Sequence, residues 1–252
     1  MEEGRVHVWC AMLDALPQAA APQDGLSEDE RRRAAALKVP AQRRRYIAGR
    51  AMMRDIVARA VGGHPAALRF AYGPLGRPAV AGEHVGSGVD FNLSHGGGVA
   101  VLALVRGAHV GADVERIRDV PRAAAIMRRW FSPSERRERS ALPADERAGA
   151  FMRAWTCKEA VRKAEGTGLR HSVRGVEVAP IPGTRDGCPA RLTHKDGVPA
   201  EAARWALWVW APYPDWVAAV AVDRPAALPP VVHWWQPPVV PRAVPATHPG
   251  PR

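Results

Sequence analysis

Apolar and polar positions alternate in two rhythms along this chain. In 42–61 (QRRRYIAGRAMMRDIVARAV), Tyr46, Met53, Ile56/Val57 and Ala60 share one helical face, while Arg43, Arg50 and Arg54 share another at i, i+7 and i+11. Gly62-Gly63 ends that helix. A second long helix is predicted from about 143 to 165, closed by Gly166. Shorter helices are signalled by their caps: Ser27 with Glu30 opens 27–37, and Ser132-Pro133-Ser134-Glu135 supplies an N-cap, a proline at N1 and a glutamate at N3. The stretch 120–131 also reads as helical. Strands are predicted at 5–13, 68–72, 99–105 (VAVLALV), 110–117 and 173–179, with a hairpin over 204–222 that turns at 212–215. GPLGRP (73–78) is turn chemistry, and DFNLSHGGG (90–98) reads as a polar loop entering the strand at 99. Residues 223–252 carry nine prolines and predict a tail without regular elements, outside the chemistry.

Composition narrows the class. At 252 residues the chain makes one large domain or two small ones, and 47% hydrophobic residues with nine Trp suffice for a core. Twenty-three Gly and 24 Pro deny long helices a majority. Cys10, Cys157 and Cys188 are too few and too dispersed for a disulfide framework or a cysteine zinc site. With no run of 18 apolar residues and no signal-peptide pattern, a soluble cytoplasmic protein is expected. The net charge is +11, and the basic set is almost all Arg; Lys38, Lys158, Lys163 and Lys195 are its only lysines. Such a balance favours anionic partners: nucleic acid, a phosphorylated cofactor or an acidic protein.

Five groups of residues carry candidate chemistry. Asp113 and Glu115 in VGADVERI lie at i and i+2 of a strand, on one face, with Cα atoms roughly 6.5 Å apart. Paired carboxylates of this kind suit Mg²⁺ with substrate phosphates completing its shell; an exposed edge paired with Arg116 or Arg118 is the plain alternative. Trp155, Glu159 and Lys163 recur at i, i+4 and i+8, either as a surface helix pair or as a partly buried stripe whose compact ammonium meets a phosphate. Asn92-Leu93-Ser94-His95 with three glycines permits close approach of an anion to backbone amides. No GxSxG elbow accompanies the Ser–His neighbours, so a nucleophilic serine is not expected. The capping box explains Glu135 by itself, and Arg in 31–50 and at Arg77 can meet phosphate or simply solvent.

In order, GRP (Gly76, Arg77, Pro78), FNLSH, VGADVE, FSPSE and WTCKEAVRKAEGTGL resemble the 4′-phosphopantetheinyl transferase superfamily, of the type that activates peptide and polyketide synthases. The match runs from about Arg50 to Leu169, with Arg77 where the family commonly has Lys. The resemblance implies an α+β fold of two similar α/β halves in one chain, 1–106 and 107–222, followed by the tail 223–252, with the active site in the cleft between the halves. It implies Mg²⁺-dependent transfer of 4′-phosphopantetheine from coenzyme A to a serine of an acyl or peptidyl carrier protein, releasing adenosine 3′,5′-bisphosphate. Carried over residue by residue, Asp113, Glu115 and Glu159 are the implied metal ligands. Glu159, Glu135 and Lys163 are the implied catalytic set. Arg50, Gly76, Arg77, Pro78, Ser94, His95, Asp113, Lys158 and Lys163 are the implied coenzyme A contacts. A monomer is expected, with neither nucleic acid nor membrane as partner. The competing readings are a non-catalytic basic nucleic-acid binder and an inactive family member that only binds carrier protein.

Overall fold

The computed structural model describes residues 3–16, 25–166, 173–181, 188–225 and 227–237. In chain order its elements are β1 (His7–Met12), α1 (Glu28–Ala36), α2 (Pro40–Val61), β2 (Arg69–Tyr72), β3 (Pro78–Ala81), β4 (Val89–Gly96), β5 (Val99–Arg106), β6 (Val110–Arg116), α3 (Ala123–Trp130), α4 (Pro133–Ser140), α5 (Ala144–Ala164), β7 (Val176–Val178), β8 (Cys188–Ala190), β9 (Leu192–Lys195), α6 (Pro199–Ala202), β10 (Ala206–Trp210), β11 (Trp216–Val222) and β12 (Val231–Trp234). The class is α+β.

Two four-stranded sheets, β12-β1-β5-β4 and β6-β11-β10-β8, stack face to face between α2 and α5. The period of two along each central strand explains the layering. On β5, Ala100, Leu102 and Leu104 face α2, whereas Val99, Val101, Ala103 and Val105 enter the space between the sheets. On β11, Val217, Ala219 and Ala221 face α5, and Trp216, Ala218, Val220 and Val222 face the other sheet. Both faces of these strands are covered, which is why they read as unbroken apolar runs.

Helix α5 is seated on β6 through a glycine. A Cβ at Gly111 would run into the Ala160 carbonyl oxygen and the Ala164 backbone nitrogen, so only glycine permits this approach. The helix starts and stops within one residue of the sequence expectation, and both capping boxes form, Ser27 with Glu30 and Ser132 with Glu135.

Three expectations are corrected. Residues 89–96 form a strand in register with β5, not a loop. The predicted strand 173–179 is a 3-10 turn, 173–175, followed by β7. The tail is part of the first sheet where described: β12 pairs in parallel with β1, from His7 with Val231 to Cys10 with Trp234. Trp235 is buried beneath it, donating from Nε1 to Asp55 Oδ2 at 2.8 Å and from its amide to the Cys10 carbonyl at 2.9 Å. Prolines at 229, 230 and 237 flank β12 without interrupting it, as an edge strand tolerates.

Candidate active site

The sheets meet at β4 and β6, and side chains rather than a strand ladder join them. Alternate residues of β4 reach across: Asp90 Oδ2 accepts the Val110 amide at 2.8 Å, Asn92 Oδ1 accepts the Ala112 amide at 3.0 Å, and Ser94 Oγ donates to Asp113 Oδ1 at 3.0 Å. Beside this seam lies a cavity of about 510 Å³. Leu75, Gly76, Arg77 and Pro78 line it from the β2–β3 hairpin, Asn92 to His95 from β4, Asp113 and Glu115 from β6, and Trp155, Glu159 and Lys163 from α5.

The strand period sends Val110, Ala112 and Val114 into the inter-sheet core and leaves Asp113 and Glu115 facing the cavity. The helical period brings Trp155, Glu159 and Lys163 down the same wall. Lys163 Nζ pairs with Asp113 Oδ1 at 2.6 Å and donates to Ser94 Oγ at 2.9 Å. Asp113 and Glu159 are only 4% and 7% exposed. Burial first, and then the Asp113 charge with a contribution from Glu115, pushes the Glu159 carboxyl up to about 7, against the pull of Lys163. Burial and Asp113 likewise raise Glu115. Burial, then Lys163, lowers the His95 imidazole. One ammonium therefore stands among three carboxylates, and the cluster is short of positive charge.

Among the described residues no three His, Cys, Asp or Glu side chains are grouped tightly enough to hold a metal ion. The expected convergence of Asp113, Glu115 and Glu159 on one point is thus not found; Asp113 Oδ1 is taken by Lys163 and Ser94. The donors still fit a hard cation. Asp113 Oδ2 and Glu159 Oε1 are buried carboxylate oxygens without a hydrogen-bond partner, and such oxygens are the ligands Mg²⁺ takes.

Other expected site residues lie elsewhere. Arg50 does not line the cavity; Glu30 and the Tyr72 hydroxyl hold its guanidinium, tying α1 to α2. Lys158 is fully buried on another face of α5, bound to Glu135 at 2.8 Å and to the Val176 carbonyl, so it does not face the cavity. Glu135 is removed with it: its carboxylate accepts Lys158, the Ser132 amide at 2.8 Å and the Val178 amide at 3.1 Å. Arg77 does reach the cavity, but its guanidinium is engaged. It donates to the Lys163 and Ala164 carbonyls at the end of α5, to Asp90 Oδ2 at 2.6 Å and to the Val110 carbonyl at 2.9 Å. Thr167, Gly168 and Leu169, the end of the last motif, lie outside the described residues. Asn92, from FNLSH, and Trp155, from the Glu159–Lys163 stripe, also line the cavity, although the resemblance implies no coenzyme A, metal or catalytic role for them.

Two family profiles match the chain. One, described as 4′-phosphopantetheinyl transferase superfamily, matches 109–221; the other, described as 4′-phosphopantetheinyl transferase, N-terminal, matches 13–106. The chain is 34% identical over 221 residues to the 4′-phosphopantetheinyl transferase HetI of a Nostoc species, covering 86% of this chain and 87% of that protein. It is 34% identical over 125 residues to the 4′-phosphopantetheinyl transferase AcpT of Escherichia coli, covering 50% and 59%. It is 31% identical over 125 residues to a 4′-phosphopantetheinyl transferase of Bacillus subtilis, covering 50% and 53%. The crystal structure of Thermotoga maritima holo-(acyl-carrier-protein) synthase aligns over 46% of this chain and 62% of that one, with a TM-score of 0.35 and 25% identity.

Proposed function

Because the chain belongs to the 4′-phosphopantetheinyl transferase superfamily, we propose that it transfers 4′-phosphopantetheine from coenzyme A to a serine of an acyl or peptidyl carrier protein. The serine hydroxyl gives up its proton to solvent as its oxygen bonds to the β-phosphorus, the bond from that phosphorus to the bridging oxygen breaks, and adenosine 3′,5′-bisphosphate leaves with that oxygen and the bond's electron pair. The observation that carries the reading is the cavity at the β4–β6 seam, where Asp113, Glu115 and Glu159 surround a single ammonium and leave two buried carboxylate oxygens unpaired.

In this reading Asp113, Glu115 and Glu159 hold Mg²⁺, which supplies charge neutralisation for the diphosphate when bound. Lys163 places an ammonium beside the phosphates, with Asp113 and Ser94 fixing its position. Ser94 and His95 offer polar contacts from the β4 wall, and Gly76 and Pro78 shape the hairpin wall. Arg77 acts by positioning: it holds the last turn of α5, and with it Lys163, against β4 and β6. Phosphoryl transfer asks the protein chiefly for such positioning and charge. The reading also takes 1–106 and 107–222 as two similar halves of a monomer that acts in the cytoplasm on carrier proteins of peptide and polyketide synthases, with neither nucleic acid nor membrane as partner.

The test is intact-mass spectrometry of a panel of carrier proteins incubated with the chain, coenzyme A and Mg²⁺. A single phosphopantetheine adduct on the serine is expected, absent without Mg²⁺. Unmodified carrier proteins throughout, under conditions in which a known transferase loads them, would overturn the assignment.

A further inference from the structure

The corner between α4 and α5 holds a buried guanidinium with no ion pair among the described residues. Arg139 is 7% exposed; its Nε and Nη1 are buried without a hydrogen-bond partner, and no ion pair reaches it among the described residues. It stands over the rings of Phe131 and Phe151, at 5.2 and 5.6 Å from their centroids. Glu135, the buried carboxylate beside it, is spent on Lys158 and two backbone amides. Leaving a charge this buried and unpaired is costly, so the position calls for an anion.

Arg139 lines a cavity of about 390 Å³ between α4, α5 and residues 178–181. That volume falls in the range of small-molecule sites, roughly 300–1,000 Å³. Its lining shares no residue with the Asp113–Lys163 cavity. Leu142, Ala154 and Val178 make its walls apolar, and Arg153, which donates from Nε to the Ile181 carbonyl at 2.9 Å, makes no ion pair among the described residues. Glu138 and Glu146 are exposed residues of the lining. Their charges disfavour a dianion such as phosphate, whereas one buried guanidinium matches one negative charge.

We propose that this cavity is a second ligand site, for a small monocarboxylate whose oxygens accept from Arg139 while its apolar chain lies along Leu142, Ala154 and Val178. The site is independent of the transfer reaction, since it needs neither coenzyme A nor a carrier protein.

The experiment is an amide NMR titration of the full chain with sodium hexanoate and octanoate, with hexanol, octanol and inorganic phosphate as controls. Saturable shifts at 139, 153–154, 178, 179 and 181 are expected for the carboxylates only. Affinity should rise about fourfold per added CH₂, the equivalent of about 0.8 kcal/mol. Arg139→Gln should weaken binding at least about tenfold. Ala154→Leu, which fills the cavity with an apolar side chain, should abolish it, and this variant decides the matter if Arg139→Gln does not fold. The proposal is overturned by absence of saturation at about 10 mM carboxylate, by equal affinity in a folded Arg139→Gln, or by shifts confined to the Asp113–Lys163 cavity. Shifts here with an acidic peptide but with no free carboxylate would also overturn it, in favour of a protein-borne carboxylate.

Discussion

Asn92 on β4 accepts the backbone amide of Ala112 on β6 at 3.0 Å, so a side chain does the work of a ladder hydrogen bond between two sheets. Asn92 is 7% exposed, and water cannot readily replace it. Asn92→Ala should cost about 1–3 kcal/mol in urea unfolding, the range for orphaning a buried amide. A loss below a few tenths of a kcal/mol would mean that the seam closes without it.

Gly111→Ala should be among the most damaging single substitutions. The new methyl meets backbone atoms of α5, which cannot swing aside as a side chain would. A loss of about 3 kcal/mol or more is expected from unfolding curves, at the upper end for overpacking. Glu159 and Lys163 ride on the displaced helix, so transfer activity should fall further than the unfolded fraction explains.

Asp113→Ala and Glu115→Ala should each abolish carrier-protein loading while near-native circular dichroism persists, because each removes an oxygen donor from an acidic cavity. Lys163→Ala should slow loading at least about a hundredfold, as loss of one preorganised charge contact does. The Lys163 side chain is 28% exposed, so its pairing with Asp113 should contribute under about 1 kcal/mol to stability. Unchanged kinetics in Lys163→Ala would reduce the residue to a partner for Asp113.

Trp235→Ala should cost about 3–5 kcal/mol, as for other buried aromatic truncations. The indole is 5% exposed and packs with the α2 core, and its N–H is bound to Asp55. Chain ending before 231 should melt many degrees lower, by the same loss together with that of β12.

His7 and His233 join β1 to β12 through a 3.1 Å ring-nitrogen hydrogen bond. Burial, then His233 and Arg5, holds His7 below its ordinary value of 6.5. The unfolded chain therefore takes up this proton first as pH falls. Its contribution is fully present above about 6.5 and is lost as pH drops toward the lowered value. Urea midpoints at pH 7.5 and 5.5 should differ less in His7→Gln than in the unmodified chain; an identical difference would remove His7 from the account.

Strands buried on both faces and helices with side-chain caps were legible because their signals are local: VAVLALV on β5 and the Ser132–Glu135 box need no distant partner. So were the two pairs, Asp113 with Glu115 on one strand face and Glu159 with Lys163 on one helix face, whereas their meeting in one cavity was implied by the family resemblance alone. Strand β4 was hidden because its bridging side chains, Asp90, Asn92 and Ser94, are polar and turn toward another sheet. Strand β12 was hidden by its flanking prolines. The contacts that Arg50 and Arg77 make with Glu30 and with the end of α5 were not legible, because they are set by tertiary approach. Lys158 sits about 100° around the helix from Glu159, and that rotation turns it from the cavity into the core.

The four acceptors of Arg77 come from the end of α5, from β4 and from β6. A single guanidinium thus links three elements, and we expect their openings to be coupled. An excursion that parts β4 from β6 and α5 must break either the Asp90 contact or the other three. The backbone of Lys163, whose own carbonyl is one of them, is tied to β4 and β6 through that one side chain. Hydrogen exchange at 110, 112 and the last turn of α5 should therefore report one shared opening free energy, rather than the graded fraying usual at a helix end.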